Sequence, residues 1–217
     1  QGLWVQKEDV LAQIELYFNE TSEAGISYLM TDMWQAWQEL ASNPESQASR
    51  VGLVQKSVLF TNAMNEQLDN LRTLRQNLDD AVEAKVREVN SITAQIAQLN
   101  RSVVSAESDG HQANDLRDER DMLTSELAKL IEFDVYEQSD GAYTLTLDNK
   151  ALVFAAESFE LETYVNPVSD LYLLDVRWAD TKKQIVPEKG ELGGILYGRD
   201  TTIPAYSDKL DLLSRTL

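Results

Sequence analysis

Between Gly52 and Gly110 the chain carries 57 consecutive residues without a glycine or a proline. Inside that run, apolar residues recur at Leu68, Leu71, Leu74, Leu78, Val82, Val86, Val89, Ile92, Ile96, Leu99 and Val103, at a mean spacing of 3.5 residues. Such a period keeps one apolar seam aligned along a helix for many turns, as in a coiled coil. The spacing predicts one very long helix over about 45–108, ending at Ser108-Asp109-Gly110. At 1.5 Å per residue it would be roughly 90 Å long, far beyond an average globular helix. A returning helix is expected from about 113 to 131, with Leu116, Leu123, Leu127 and Leu130 as its apolar stripe, Met122 beside them and Asn114 as its cap. The short connection makes it an antiparallel neighbour, so the seam reads as the inside of one chain's own bundle.

Two shorter helices precede the long one. Over 7–18, Val10, Leu11, Ile14, Tyr17 and Phe18 share a face. Thr21-Ser22 and Gly25 interrupt the pattern. Over 27–40, Met30, Met33, Trp37 and Leu40 repeat at helical spacing with Trp34 beside them, which assigns both tryptophans to a core. Asn43-Pro44-Glu45 closes this helix and opens the next, with Asn43 as cap and Pro44 in the first turn. After 132 the period changes to two. Phe133 and Val135, then Tyr143, Leu145 and Leu147, flank the turn signal Ser139-Asp140-Gly141, and Asp148-Asn149 is a second such signal. Further strand-like runs cover 151–155, 159–165, 171–178 and 184–186, with Asn166-Pro167 between two of them, so 133–187 reads as one antiparallel meander. Gly190 begins a last helical stretch to Leu217, bent at Thr201-Thr202 and Pro204, with Leu210, Leu213 and Leu217 on one face. The expected fold class is mainly α with a small β subdomain: an elongated antiparallel helical bundle, 1–132 with 190–217, into which a β-meander, 133–189, is inserted.

Composition removes several kinds of function. The 217 residues hold 19 Lys+Arg against 37 Asp+Glu, a net charge of −18. So acidic a chain repels nucleic-acid backbones and anionic lipid. No apolar run approaches the ~18–20 residues of a membrane span. The start, Gln1-Gly2-Leu3-Trp4, has neither an initiator methionine nor a signal-peptide pattern, and reads as the trimmed edge of a longer chain. Cysteine is absent and His111 is the lone histidine, so thiolate chemistry and Cys-ligated metals are out. Asp115, Asp118 and Glu119 share a helix face near Asp121, yet Arg117 and Arg120 lie among them, and local ion pairing is the expected use. Gly190, Gly193, Gly194 and Gly198 lack the spacing of a phosphate loop and read as close-approach or bend positions. His111 sits in a polar turn. A carboxylate-pair glycosidase needs aromatic platforms in loops, whereas Trp34 and Trp37 are at helix spacing. No catalytic, cofactor-binding or metal-ligating residues are expected.

The turn around Pro44 carries a family resemblance. Met33-Trp34-Gln35-Ala36-Trp37-Gln38-Glu39-Leu40-Ala41-Ser42-Asn43-Pro44-Glu45-Ser46, followed by Ala48-Ser49-Arg50, resembles the flagellar hook-associated protein 1 family of the hook–filament junction. Four further segments agree in the family's order. They are Val89-Asn90-Ser91-Ile92 through Leu99-Asn100; Ala113 through Leu123; Ser139-Asp140-Gly141 with Leu152-Val153; and Gly190 through Leu196 with Arg199-Asp200. Met33-Trp34 departs from the family's phenylalanine-rich approach to the Trp37 position. The resemblance implies a core fragment without the family's terminal helices or variable domain. It implies a secreted, non-enzymatic structural subunit of the bacterial flagellum, exported by the type III route without a cleaved signal peptide. The implied partners are sister subunits in a ring, the hook protein, the next hook-associated protein and, for the full-length protein, an export chaperone. The isolated fragment is expected to be monomeric. The residues alone also admit a coiled-coil adaptor with a β docking module, or a carboxylate hydrolase.

Overall fold

The structure is a computed structural model that describes residues 2–18, 25–108, 110–167 and 171–216. Thr21-Ser22, Asp109 and Leu217 lie outside the described residues. The order is α1 (Gly2–Tyr17), α2 (Ile26–Ser42), α3 (Gln47–Ala106), α4 (Asn114–Leu130), seven strands, α5 (Gly190–Tyr197), a π-helical turn (Gly198–Thr202) and α6 (Ile203–Thr216). The long helix is present, at 60 residues. Every residue of its expected seam is buried except Leu68 and Leu99, which are half-buried. At the second of these levels the polar Asn100 takes the buried place, and it does so for a structural reason given below.

The strands are β1 (Asp134–Glu137), β2 (Tyr143–Leu147), β3 (Lys150–Phe154), β4 (Glu157–Ser158), β5 (Leu161–Val165), β6 (Leu174–Trp178) and β7 (Gln184–Ile185). They form two antiparallel sheets, β1-β2-β3-β4 and β5-β6-β7, where the alternation alone suggested a single meander. The pairing lapses between Ser158 and Leu161, and Asn90 of α3 satisfies the Leu161 backbone there. Both hairpin signals are turns. Gly141 has φ +85, while Asp148 and Asn149 have φ 51 and 60, the left-handed geometry of a type I′ turn that Asn and Asp tolerate.

The chain forms two compact units. The first holds Gln1–Glu8 and Gln76–Thr201, and the second holds Asp9–Arg75 and Thr202–Leu217. The strands belong with α4, α5 and the second part of α3, so the units do not divide at 133 and 189, where the change of period falls. The first unit's core includes Val82, Val86, Val89, Ile96, Leu127, Ile131, Leu145, Leu152, Trp178 and Leu192. The second unit's core includes Val10, Ile14, Met33, Ala36, Leu53, Phe60, Leu71, Leu74 and Ile203.

Two caps differ from expectation. Asn43 ends α2, its N–H bonded to the Glu39 and Leu40 carbonyls at 2.9 and 3.2 Å. The α3 cap is Ser46, whose Oγ accepts from the Ser49 N–H at 3.2 Å. Asn114 is not the α4 cap. The cap residue is Ala113, with no side-chain capping bond, and its own N–H donates to Oε1 of Glu107, just past the end of α3, at 2.9 Å.

Candidate functional site

In the first unit, polar residues of α3 and α4 fasten strands to helices. Asn90 donates to the Leu161 carbonyl at 2.7 Å and accepts from the Leu161 N–H at 2.9 Å. Asn100 donates to the Tyr143 and Ala155 carbonyls and accepts from the Tyr143 N–H. Asp79 accepts from the Leu174 N–H at 2.9 Å and from Arg199 Nη1 at 2.6 Å. A side-chain amide can satisfy both groups of a strand residue at once, so these residues finish ladders that a neighbouring strand would otherwise complete.

Arg117, Arg120 and Asp121 of α4 reach across to other elements rather than along the helix, so the two arginines are not used in the expected local pairing. Arg117 holds Glu107 with Nε and Nη2, both at 2.7 Å, and Glu137 with Nη1 at 2.7 Å. That bidentate grip, then the Ala113 N–H, holds the Glu107 carboxyl down at about 2. Arg120 is fully buried. Its Nη1 donates to Asn100 Oδ1 and the Gly141 carbonyl, and its guanidinium lies 3.5 Å from the Tyr143 ring centroid. Leu116, Arg120, Leu123, Leu127 and Leu130 are thus the true inward face of α4, and Met122 is exposed. Asp121 accepts from the Tyr143 hydroxyl at 2.8 Å. Burial, then that bond, raises the Tyr143 pKa. Arg199 is buried against Asp79 and Asp200. Burial pushes its guanidinium down, but the Asp200 and Asp79 hydrogen bonds outweigh this and hold it above the usual range.

Asp115, Asp118, Glu119 and Asp121 do not converge. Among the described residues no group of three or more His, Asp or Glu side chains is placed to hold a metal ion. The glycines serve close packing: a Cβ on Gly194 would sit 2.6 Å from Gln6 Cβ, while Gly190 has φ +74 and would place one 2.4 Å from the Leu130 carbonyl. His111 is exposed in its turn. A cleft of about 630 Å³ opens between the 131–134, 146–149 and 184–188 segments. Its carboxylates are Glu132, Asp134, Asp148 and Glu188, and Glu132 is ion-paired with Lys189.

The second unit carries the unexpected surface. Trp34 is 47% and Trp37 50% exposed, so they are not core residues. The inward face of α2 is Ile26, Met33 and Ala36, and the tryptophans lie on its flank. Val51, Val54 and Val58 of α3 are likewise exposed. Spacing by threes and fours gave no sign of this, since core and flank stripes share one period.

Buried cations used as fasteners, strands bolted to a long helix and apolar side chains left on an outer face define a class of helical scaffold whose chemistry is packing and contact. No described helix is long and apolar enough to cross a membrane. The chain belongs to the family described as flagellar hook-associated protein FlgK helical domain, whose profile matches residues 11–217. It is 30% identical over 202 residues to flagellar hook-associated protein 1 of Escherichia coli K12, covering 89% of this chain and 37% of that protein. It is 28% identical over 141 residues to its namesake from Bacillus subtilis 168, covering 64% of this chain and 28% of that protein. Among solved structures, that of the flagellar hook junction protein FlgK from Burkholderia pseudomallei superposes with a TM-score of 0.79 at 26% identity. The match covers 94% of this chain and 39% of that one. The chain therefore spans well under half the length of these relatives.

Proposed function

We propose that this chain is the helical part of a structural subunit of the bacterial flagellum, at the hook–filament junction, with no catalytic activity. The observation that carries the reading is the family match over 11–217. The fold agreement with a hook junction protein at TM-score 0.79 supports it. The partners in this reading are sister subunits, the hook protein and the next hook-associated protein, with an export chaperone meeting the full-length protein. The subunit works outside the cell and reaches its place through the flagellar export channel, without a cleaved signal. Its function is mechanical: α3 supplies stiffness, and the surface supplies contacts. The test is deletion of the full-length gene in its host, with electron microscopy of the cells and an assay of flagellin in the medium. Completed hooks without filaments, and flagellin lost to the medium, are expected. Normal filaments and swimming would overturn the reading.

A further inference from the structure

The α2–α3 hairpin of the second unit has a seam marked by two contacts. Asp32 meets Lys56 at 2.7 Å, and Ser49 Oγ meets Glu39 at 3.4 Å. Both pairs add to 88, so each α2 residue lies level with the α3 residue that completes that sum. At 100° per residue, Trp34 and Trp37 lie about 140–200° round α2 from Asp32. Val51, Val54 and Val58 lie the same angle round α3 from Lys56. The two stripes therefore face outward on opposite flanks of the hairpin, and at matching heights: Trp37 is level with Val51, Trp34 with Val54 and Met30 with Val58.

The flanks are also free of charge. In 26–43 the charged residues are Asp32 and Glu39, and in 46–65 they are Arg50 and Lys56. All four are engaged within the hairpin, Arg50 with the Pro44 carbonyl at 2.7 Å. Loss of charge and gain of aromatics mark the centre of a protein interface. In a chain of net charge −18, two copies repel over most of their surface, and a neutral flank is where they can meet. We propose that the Trp34/Trp37 flank of one copy packs against the Val51/Val54/Val58 flank of the next, a head-to-tail contact between identical chains. Such a contact leaves a free flank at each end and so propagates. This rests on the junction reading and names the surface through which its copies touch. A covered tryptophan buries 150–250 Å², so two half-exposed ones offer roughly 200 Å². With the valines each flank offers a few hundred Å², short of the ~800 Å² per partner of a stable interface. The contact is weak singly and forms when copies are concentrated.

The chain lacks cysteine, so introduced thiols report the contact cleanly. Ala41 and Gln47, both exposed, extend the two stripes by one turn at matching height. The chain carrying both Ala41→Cys and Gln47→Cys, oxidised at about 1 mM, should give a ladder of dimers, trimers and higher species on a gel. A mixture of the two single variants should stop at dimers. Each single variant alone should cross-link no more than a Thr73→Cys control. Adding Trp37→Asp or Val54→Asp, with the fold checked by circular dichroism, should cut the ladder roughly tenfold or more, since a bare charge would be buried. Dimers of Ala41→Cys alone as abundant as those of the mixture, a ladder indifferent to both aspartates, or no ladder above the control would each overturn the proposal. These read the purified chain: a missing ladder beside the filamentless deletion would sink the contact alone, whereas intact filaments after deletion would sink the junction reading alone.

Discussion

Glu107 is the residue whose protonation the fold feels most directly. Gripped by Arg117, its carboxyl is held at about 2 against an ordinary 4.5. The unfolded chain therefore binds a proton that the folded one refuses, and stability falls on acidification. The contribution is complete above about pH 5 and drains away as pH approaches 2. Glu107→Gln should lower the urea midpoint at pH 7, and the gap from the parent chain should close between about pH 5 and 2. A constant gap would show that the carboxylate's charge does not matter. The residue scale is also where the sequence was least readable. Asn90 and Asn100 are polar residues beside an apolar seam, which looks the same whether they face water or a strand's backbone. Arg120 falls in step with Leu116, Leu123 and Leu127, but its charge hid it from a pattern of apolar residues. Trp34 and Trp37 misled in the opposite sense, being apolar and in step yet half in solvent.

At the scale of elements, the long helix was legible because its seam repeats over ten intervals, and an error at one position cannot shift the period. Ile96 lies in that seam and is wholly buried. Ile96→Ala should cost about 2–5 kcal/mol by denaturant unfolding, whereas the same truncation at exposed Val54 should stay within about 0.5 kcal/mol. Comparable losses at both sites would mean that α3 is not anchored along this seam. The strands were legible singly and not as sheets. Alternation shows which residues face inward but not where a ladder stops, and here the stop depends on side chains from α3. The two caps were misjudged at close range: Ser46, three residues past Asn43, caps α3, and α4 begins at Ala113 with no side-chain cap at all.

At the scale of the whole molecule, the helices-strands-helices order and the family were readable from five segments in sequence order. The two-unit division was not, since nothing in the composition changes at Arg75. Self-repulsion from a net charge of −18 and the small apolar flanks together predict a monomer in dilute solution. Light scattering should return 24.5 kDa, with a mass that rises at high protein concentration and rises further with added salt, which screens the repulsion. A dimer mass independent of concentration would contradict this.

The chain crosses between its two units three times, at 8/9, 75/76 and 201/202. The first lies inside α1, the second inside α3 and the third in the π-helical turn that leads into α6. For recombination this has a consequence. A linker tolerates a splice of any length, but a helix does not: one residue gained or lost at 75/76 would rotate everything beyond by about 100°. An exchange of one unit between relatives must therefore preserve three helical phases at once, so substitution is open to this chain where modular shuffling is not.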